Sequence, residues 1–488
     1  MRSWCKFCGF QAVISKQRFI ASVGKYIVSC SFGLTLLISS ATGETPGTCD
    51  HRGYLGWIND LGSKPRTFEA WPSITIDSQL IADYDQTFAF MHDHHMNEIT
   101  IWGFFTNSAW DTSITGTITA GRADTVRLLI KKAHAQGVKV LSGMGVYSWG
   151  FDKIIAAHSE LTDASNRQVM CLSNPAAWNW QKKVIDFIFT FSLDGVSMQS
   201  ADKGRCACAR CSKYSDLEYH SILNDSCAAY IKRTYHEKIV GINTWGMSLT
   251  NKNDLPFIKT MTRHADFLTD VSEGVLDNGR AYRKEFIQAI APCAYGTIGN
   301  PGIEPPMHWE RNRWFIPRLY HPIDRLKELI ADGGRAVENY MCFLNNPGDE
   351  AAIHVKAAIE FNPAASKDSL VRFEIQEIYK PNDNAALDSL VALFLGAENA
   401  FYDNCGTFPM YVQIEPLISS SPGPAVYLEY LSVPGRMKYY NELCRLRSLA
   451  VKLQNKVNAS LKMKLIVSCI DNTMKDMSEK FGFAPCLP

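Results

Sequence analysis

Apolar runs of strand length alternate with segments of helical periodicity along most of the chain. Each run is rich in β-branched or aromatic residues and ends in polar residues, which is typical of buried strands in a parallel sheet. The segments between them repeat apolar residues every three or four positions, which predicts helices. The predicted strands cover residues 54–58, 98–105, 138–143, 195–199, 239–245, 265–271, 285–295 and 334–341. The predicted helices cover residues 76–96, 123–136, 174–189, 216–238, 255–263 and 322–332.

Eight such alternations predict an α/β fold, a (β/α)8 TIM-type barrel over residues 54–365. A doubly wound open sheet is the alternative, but no G-x-G-x-x-G sequence follows the first strand and no Walker-type phosphate loop occurs. After residue 365 the pattern becomes helical, and we predict a C-terminal helical region at residues 366–488 packed on the barrel. Its predicted helices cover residues 370–379, 385–401, 437–461 and 472–480.

The N-terminus has the residue order of an export signal. Basic residues precede an apolar run at residues 26–38, and a small-residue cleavage site ends at Gly43. We predict a signal peptide over residues 1–43, a polar linker over residues 44–53, and a mature protein that is secreted or periplasmic. A retained membrane anchor is the alternative, although the apolar run is short for a bilayer span.

Charge and strand-end chemistry together indicate a carbohydrate partner. The net charge of +1 gives no basic field for nucleic acid, and no membrane partner is expected once the leader is removed. Tryptophan rings stack on the C–H face of a pyranose, while acids and amides bond its hydroxyls. For each tryptophan alone, ordinary packing is the alternative. The predicted substrate-binding residues are Trp57, Asp60, Trp102, Tyr147, Gln199, Asn243, Trp245, Trp309, Arg311, Arg313 and Glu338.

Two carboxylates that follow the fourth and sixth predicted strands predict an acid–base pair. Asp202 follows the fourth predicted strand, and Glu273 follows the sixth, with Asp270 as its substitute. Glycoside hydrolysis uses one carboxyl group as acid and a second as nucleophile or base, without a cofactor. Because active sites of such barrels lie at the carboxyl ends of the strands, these residues are predicted to meet there. Glu338 lies within the eighth strand and points either into the barrel or at the helices.

The loop around Trp309 carries Arg311 and Arg313 between aromatic residues. A guanidinium group binds carboxylate or sulfate through two parallel hydrogen bonds, so an acidic or sulfated sugar is one interpretation. Pairing of both arginines with Glu304 or Glu310 is the other.

Three cysteines follow Asp202 closely: Cys206, Cys208 and Cys211. They fit a structural zinc site with Cys171 or Cys227 as fourth ligand, and they also fit disulfides. Fifteen cysteines less three in the leader leave an even number, which permits disulfides in an exported chain. A reactive role is the third reading. Either structural role would rigidify the loop that holds Asp202.

A histidine-rich run, residues 91–95, ends the first predicted helix. It lies at the amino-terminal side of the barrel, away from the expected chemistry, so a solvated helix end is the favoured interpretation over metal binding.

Short motifs add a family resemblance. Cys171-Leu172-Ser173-Asn174-Pro175, Asp194-Gly195-Val196, the segment from Ala201 to Cys211 and the segment 309–317 together resemble exported bacterial barrel proteins of the glycoside hydrolase type. These are similar in outline to family-20 β-hexosaminidases and family-67 α-glucuronidases, over residues 54–401. The resemblance implies a carbohydrate-active barrel with an acid after the fourth strand, which Asp202 matches. In the hexosaminidases that acid is a Glu beside an Asp, whereas Asp202 follows Ala201.

The sequence therefore predicts a secreted glycoside hydrolase. The alternatives are a barrel that binds glycans without catalysis and a polysaccharide lyase that uses Tyr, His or Arg in place of the carboxyl pair.

Overall fold

Eight parallel strands pair in chain order and close into a barrel surrounded by helices, so the predicted (β/α)8 fold is confirmed. The computed structural model describes residues 48–58, 75–106, 109–270, 275, 278–298, 314–340, 346–404 and 431–484. The strands are β1 (His51–Trp57), β2 (Glu98–Trp102), β3 (Lys139–Gly145), β4 (Gly195–Gln199), β5 (Ile239–Asn243), β6 (Phe267–Asp270), β7 (Ala294–Ile298) and β8 (Ala336–Tyr340).

The helices of the barrel are α1 (Ser78–Asp93), α2 (Ala120–Ala135), α3 (Asp152–Ala157), α4 (Pro175–Ile188), α5 (Asp216–Thr234), α6 (Leu255–Thr262), α7 (Arg280–Ile290), α8 (His321–Ala331) and α9 (Pro347–Phe361). Their ends follow local sequence signals. The Asn174 side chain accepts a hydrogen bond from Ala176 N at the start of α4, and Ser215 forms a capping box with Glu218 at the start of α5. Gly137, the predicted stop of α2, has a φ of 73°, which glycine adopts at little cost.

The barrel interior is built in layers along its axis. Leu141, Phe267 and Ala336 form an apolar layer near the amino-terminal end. Farther along, Glu338 of β8 accepts hydrogen bonds from Thr100 of β2 and Thr269 of β6. Neither β2 nor β6 neighbours β8 in the sheet, so these contacts cross the interior. The outer faces of the strands pack against the helices in a separate, larger apolar core.

The prediction of a seventh strand at residues 285–295 is wrong. Residues Arg280–Ile290 form α7, and β7 begins only at Ala294. The buried residues Tyr282, Phe286 and Ile290 recur every four positions, which is helical spacing. Helix α9 was not predicted. Eleven of its fifteen positions are buried, and the charged residues Asp349, Lys356 and Glu360 are among them, so its sequence shows no simple apolar stripe.

The described part of the C-terminal region, residues 366–404 and 431–484, is mainly helical, as predicted. Its helices are α10 (Lys367–Tyr379), α11 (Asn384–Tyr402), α12 (Val433–Leu453) and α13 (Ser460–Phe481). The predicted helix 437–461 is divided by residues 454–459. Glu398 of α11 accepts hydrogen bonds from the backbone N–H groups of Leu319 and Tyr320 at the start of α8, at 2.9 Å each. Barrel and C-terminal helices belong to one compact unit.

Two predictions concern the chain before the barrel. β1 begins at His51, inside the segment predicted as a linker, so the barrel starts earlier than residue 54. The predicted signal peptide, residues 1–43, lies outside the described residues. Within the part of the chain that the structure describes, no helix has the length and hydropathy to span a membrane.

Candidate active site at the carboxyl end of the barrel

Aromatic residues line a cleft at the carboxyl ends of β1, β2 and β3. The Trp57 ring centroid lies 5.8 Å from that of Trp102 and 5.9 Å from that of Trp149. Phe105 and Trp110 line the same cleft, which holds about 320 Å³ including the part open to solvent. The predicted residues Trp57 and Trp102 therefore lie together, as expected.

Gly143 of β3 makes room for the Trp102 ring. A Cβ atom at this position would lie 2.2 Å from Trp102 Cδ2, closer than any real contact. The aromatic wall thus depends on the absence of a side chain on the neighbouring strand.

Asp202 lies in the loop after β4 and is hydrogen-bonded to Trp149, which lines the cleft. Trp149 Nε1 donates a hydrogen bond to Asp202 Oδ2. The Trp245 indole, from the loop after β5, also hydrogen-bonds to the carboxylate. The predicted residues Asp202 and Trp245 are thus brought together, with Trp149 as a partner.

Burial dominates the electrostatics of this carboxyl group. It raises the pKa of Asp202 above its usual value, because the ionised form loses water. The Trp149 hydrogen bond, the charge of Lys203 and the Trp245 hydrogen bond oppose this, in that order, without cancelling it. The arrangement favours a proton on Asp202 and still provides donors for the ionised form.

Lys203 fixes the loop after β3 against the loop after β4. Its Nζ lies 4.9 Å from the centroid of the Trp149 ring and forms an ion pair with Asp152 at 2.9 Å. Asn166 Nδ2 donates to Lys203 O at 2.8 Å. The indole that binds Asp202 is therefore held by the residue that follows Asp202.

Gln199 and Asn243 end β4 and β5, and both are almost fully buried, at 8% and 3% exposure. Asn243 Oδ1 accepts a hydrogen bond from Trp245 N at 2.8 Å, so it orients the strand end that carries Trp245. Both residues lie beneath the mouth of the barrel.

Asp270 does not reach the mouth. Phe267 belongs to the inner apolar layer and Thr269 contacts Glu338, so the alternation of β6 turns Asp270 toward the helices. There it is fully buried and accepts hydrogen bonds from Thr244 Oγ1 at 3.1 Å and from Tyr295 OH at 3.3 Å. This geometry removes Asp270 as the substitute for Glu273.

Two predicted substrate-binding residues lie away from the cleft. Glu338 sits inside the barrel, 1% exposed, with Thr100 Oγ1 at 2.8 Å and Thr269 Oγ1 at 2.6 Å. Burial raises the pKa of Glu338 to about 7. Tyr147 is also buried, and burial among Cys227 and other core groups raises the pKa of its hydroxyl. Neither residue is among those that line the cleft.

The remaining predicted residues lie outside the described part of the chain: Asp60, Glu273, Trp309, Arg311 and Arg313. Conversely, Trp149 and Trp110 were not among the predicted site residues. Trp149 comes four residues after β3, in a position analogous to the strand-end tryptophans that were selected.

Four cysteine sulfurs meet beside this site. Cys171, from the loop after β3, joins Cys206, Cys208 and Cys211, with all four Sγ atoms within 4.8 Å of one another. The Cys171 Sγ lies 3.7 Å from Cys208 Sγ and from Cys211 Sγ, and none of the four is in a disulfide. Cys227, the other fourth ligand considered, is buried separately in α5.

The histidine-rich run is only partly a solvated helix end. His92 and His95 are exposed, but His94 is half-buried, with its Nε2 3.0 Å from His354 Nδ1. His354 Nδ1 also lies 3.0 Å from Glu374 Oε2. Burial lowers the pKa of His354 to about 4 and raises that of Glu374 to about 7. This cluster lies near the amino-terminal end of β2, away from the cleft.

Comparison with known proteins finds structures with a similar fold. No protein-family model and no curated protein matches the sequence. A GH138 enzyme targeting pectin rhamnogalacturonan II has a TM-score of 0.56 at 8% identity, with 88% of this chain and 57% of that chain covered. An O-GlcNAc hydrolase mutant from Thermobaculum terrenum has a TM-score of 0.47 at 11% identity, covering 89% and 85%. CpGH84D has a TM-score of 0.47 at 11% identity, with 90% of this chain and 67% of that chain covered.

These structural neighbours are glycoside hydrolases of families GH84 and GH138 with (β/α)8 barrels. The likeness to the GH138 enzyme concerns the fold alone. The resemblance to families 20 and 67 remains a prediction from the sequence.

Proposed function

We propose that this chain is a glycoside hydrolase whose active site is the carboxyl face of the barrel and whose general acid is Asp202. One observation carries the proposal: a half-buried carboxyl group after β4 is hydrogen-bonded by Trp149, a wall of the aromatic cleft. Carboxyl groups in this position of a barrel are placed for catalysis, and tryptophan faces suit the apolar side of a sugar ring.

In the proposed reaction, Asp202 gives its proton to the glycosidic oxygen as the bond to the anomeric carbon breaks. Burial supports this role, since it keeps the carboxyl group protonated at higher pH than an exposed aspartate. The indoles of Trp149 and Trp245 then stabilise the aspartate that forms. Glu273 remains the proposed nucleophile or base, on the basis of the sequence alone.

The enzyme is proposed to be secreted and to cleave the glycosidic bonds of a polysaccharide or an oligosaccharide. Secretion rests on the leader sequence, and a preference for acidic sugars rests on Arg311 and Arg313. The GH138 neighbour targets a pectin. Pectic oligosaccharides with uronic acids therefore belong in the test panel, beside N-acetylglucosaminides and neutral glycans.

A glycan-binding barrel without catalysis is the second candidate, and one observation favours it. Among the described residues, the groups that shift the pKa of Asp202 are Trp149, Lys203 and Trp245, and no carboxylate is among them. Catalysis needs a second carboxyl group. It lies about 5–5.5 Å from the first in a retaining enzyme and about 6.5–9.5 Å from it in an inverting enzyme.

The test compares the wild-type chain with Asp202→Asn on the glycan panel, measuring released reducing ends. Turnover is expected to fall about 100-fold or more, because Asn keeps the shape and removes the proton. Asp388→Asn is the control, since Asp388 is exposed on α11. Near-normal turnover by Asp202→Asn would remove Asp202 from the mechanism.

If the wild-type chain binds glycan and does not hydrolyse it, the protein is a glycan-binding barrel. In that case Trp57→Ala and Trp102→Ala should abolish the quenching of tryptophan fluorescence by glycan, while no reducing ends appear with the wild-type chain. A polysaccharide lyase would instead release products that carry a new carbon–carbon double bond, which ultraviolet absorbance detects.

A further inference from the structure

The four-cysteine cluster joins two loops of the barrel. Cys171 precedes α4 in the loop after β3, whereas Cys206, Cys208 and Cys211 lie between β4 and α5. Three of the sulfurs are buried and Cys208 is half-buried. Because burial removes the sulfur atoms from water, we expect one ligand shared by all four to replace that solvation.

The separations fit a metal ion and not a disulfide. A disulfide bond is about 2.05 Å long, well below the 3.7 Å from Cys171 to Cys208 and to Cys211. In a tetrahedral site with Zn–S bonds of about 2.3 Å, neighbouring sulfurs lie about 3.8 Å apart. Cys444 is disulfide-bonded elsewhere in the same chain, whereas the four clustered cysteines are free thiols.

Hydrogen-bond donors surround the sulfurs. Backbone N–H groups of Arg210 and Cys211 point at Cys208 Sγ, that of Cys208 points at Cys206, and that of Ser173 points at Cys171. Ser173 Oγ lies 3.2 Å from Cys211 Sγ. Thiolate ligands accept such bonds, which orient them toward a metal.

The local charge is also suitable. A divalent ion with four thiolates carries a net charge of −2. The segment that holds three of the cysteines contains Lys203, Arg205, Arg210 and Lys213. Lys203 and Arg205 pair with Asp152 and Asp216, so Arg210 and Lys213 are the residues that offset this charge. Sulfur separations below 4.8 Å suit a single ion, and four-sulfur tetrahedral sites are typical of zinc or iron.

We propose that Cys171, Cys206, Cys208 and Cys211 bind one Zn²⁺ in a closed, structural site. With four protein ligands, the ion has no open position for substrate, so it acts on the architecture. Ala207 N donates to Ser165 Oγ at 2.9 Å, which adds a second link between the same two loops.

The ion also positions Asp202. Asp202 lies four residues before Cys206, and Trp149, its hydrogen-bond partner, lies in the loop that supplies Cys171. The metal thus fixes the two loops whose side chains form that bond. This positioning role rests on the proposed function, whereas metal binding itself does not.

The first test is elemental analysis of the full chain, purified under reducing conditions without chelator. One zinc per chain is expected, falling to none in Cys206→Ser and remaining at one in the control Cys293→Ala, which changes a buried cysteine outside the cluster. Titration of metal-free wild-type chain with Co²⁺ should give the visible bands of a tetrahedral tetrathiolate site, which keeps the test valid if a variant fails to fold. Absence of both metals, iron in place of zinc, or disulfides among the four cysteines by peptide mass mapping would overturn the proposal.

The second test separates positioning from mere stability. Zinc-depleted chain that retains its far-ultraviolet circular dichroism should lose turnover and show a displaced basic limb in its pH–rate profile, because the Trp149–Asp202 contact is disturbed. An unchanged profile would overturn the positioning role and leave the zinc site intact. If Asp202→Asn has normal turnover while zinc is bound, the proposed function fails and the metal site stands.

Discussion

Replacement of Glu338 by Gln tests the interior of the barrel. The carboxyl group is fully enclosed, and both of its oxygens accept threonine hydroxyls from strands across the barrel. Gln has nearly the same shape and carries no charge. The change therefore removes the titration of this group, and the amide nitrogen donates to one threonine hydroxyl where a carboxyl oxygen accepted.

The magnitude follows from the pKa of the buried group. Burial above all, opposed by the hydrogen bonds from Thr269 and Thr100, sets the pKa of Glu338 at about 7, against 4.5 for an ordinary Glu; the charge of Glu98 adds to the rise and that of His51 opposes it. The folded chain thus keeps a proton that the unfolded chain releases between these pH values. The stabilisation by this proton is full below pH 4.5 and is lost as pH rises through 7. A difference of about 2.5 in pKa corresponds to about 3 kcal/mol in the free energy of unfolding.

Urea unfolding at a series of pH values measures this difference. Glu338→Gln and wild type are expected to have similar free energies of unfolding near pH 4, and the variant should be about 3 kcal/mol more stable near pH 8. Glu237→Gln is the control, because Glu237 is exposed and its removal should leave the pH dependence unchanged. Parallel curves for Glu338→Gln and wild type would refute the reasoning. Loss of glycan binding in a folded Glu338→Gln chain would show that Glu338 serves the site after all.

Two further substitutions test the packing. Gly143→Ala should destabilise the fold by about 1–3 kcal/mol and weaken glycan binding, since the new methyl group displaces the Trp102 ring; thermal unfolding and tryptophan fluorescence measure this. Asp349→Asn should lower the free energy of unfolding by about 3–5 kcal/mol, because it removes the charge paired with Arg318 at 3.0 Å in a fully buried position; urea unfolding measures this.

Each of these has a matched control. Gly121→Ala adds a methyl group in α2 with no atom within 4 Å, so it should not destabilise the chain. Asp124→Asn removes an exposed partner of Arg127, and its effect should stay below about 1 kcal/mol. If either control matched its buried counterpart, packing and burial would not be the cause of the effect.

Most of the barrel is predictable from the chain because its strands carry local signals. The bounds of β4 agree with the prediction, since Gly195 to Gln199 is a short apolar run between clear turns. The prediction of β7 was wrong because the preceding helix contains aromatic and β-branched residues. Their composition favoured a strand, although its buried residues recur every four positions. Helix α9 gave no periodic signal, because the charged residues Asp349, Lys356 and Glu360 stand among its buried positions.

The site is less predictable because it depends on orientation and on distant parts of the chain. A shift of one residue in β6 decides whether Asp270 faces the interior or the helices, and sequence does not define that register. The choice of Cys171 over Cys227 depends on how the loop after β3 folds toward the loop after β4. Trp57, Trp102 and Asp202 could be selected from the sequence because each lies at or just after the end of a predicted strand.

The pairing of β1 with β8 has a consequence for the order of folding. Asn339 Nδ2 donates to Gly53 O across 286 residues of chain. Consecutive strands are separated by much shorter connections, and the entropy lost on closing a loop grows with its length. We expect the strands to pair in chain order, with β8 docking onto β1 last. Until then both edges expose unpaired backbone groups, so β1 of a growing chain needs protection until the segment that ends at Tyr340 has been synthesised.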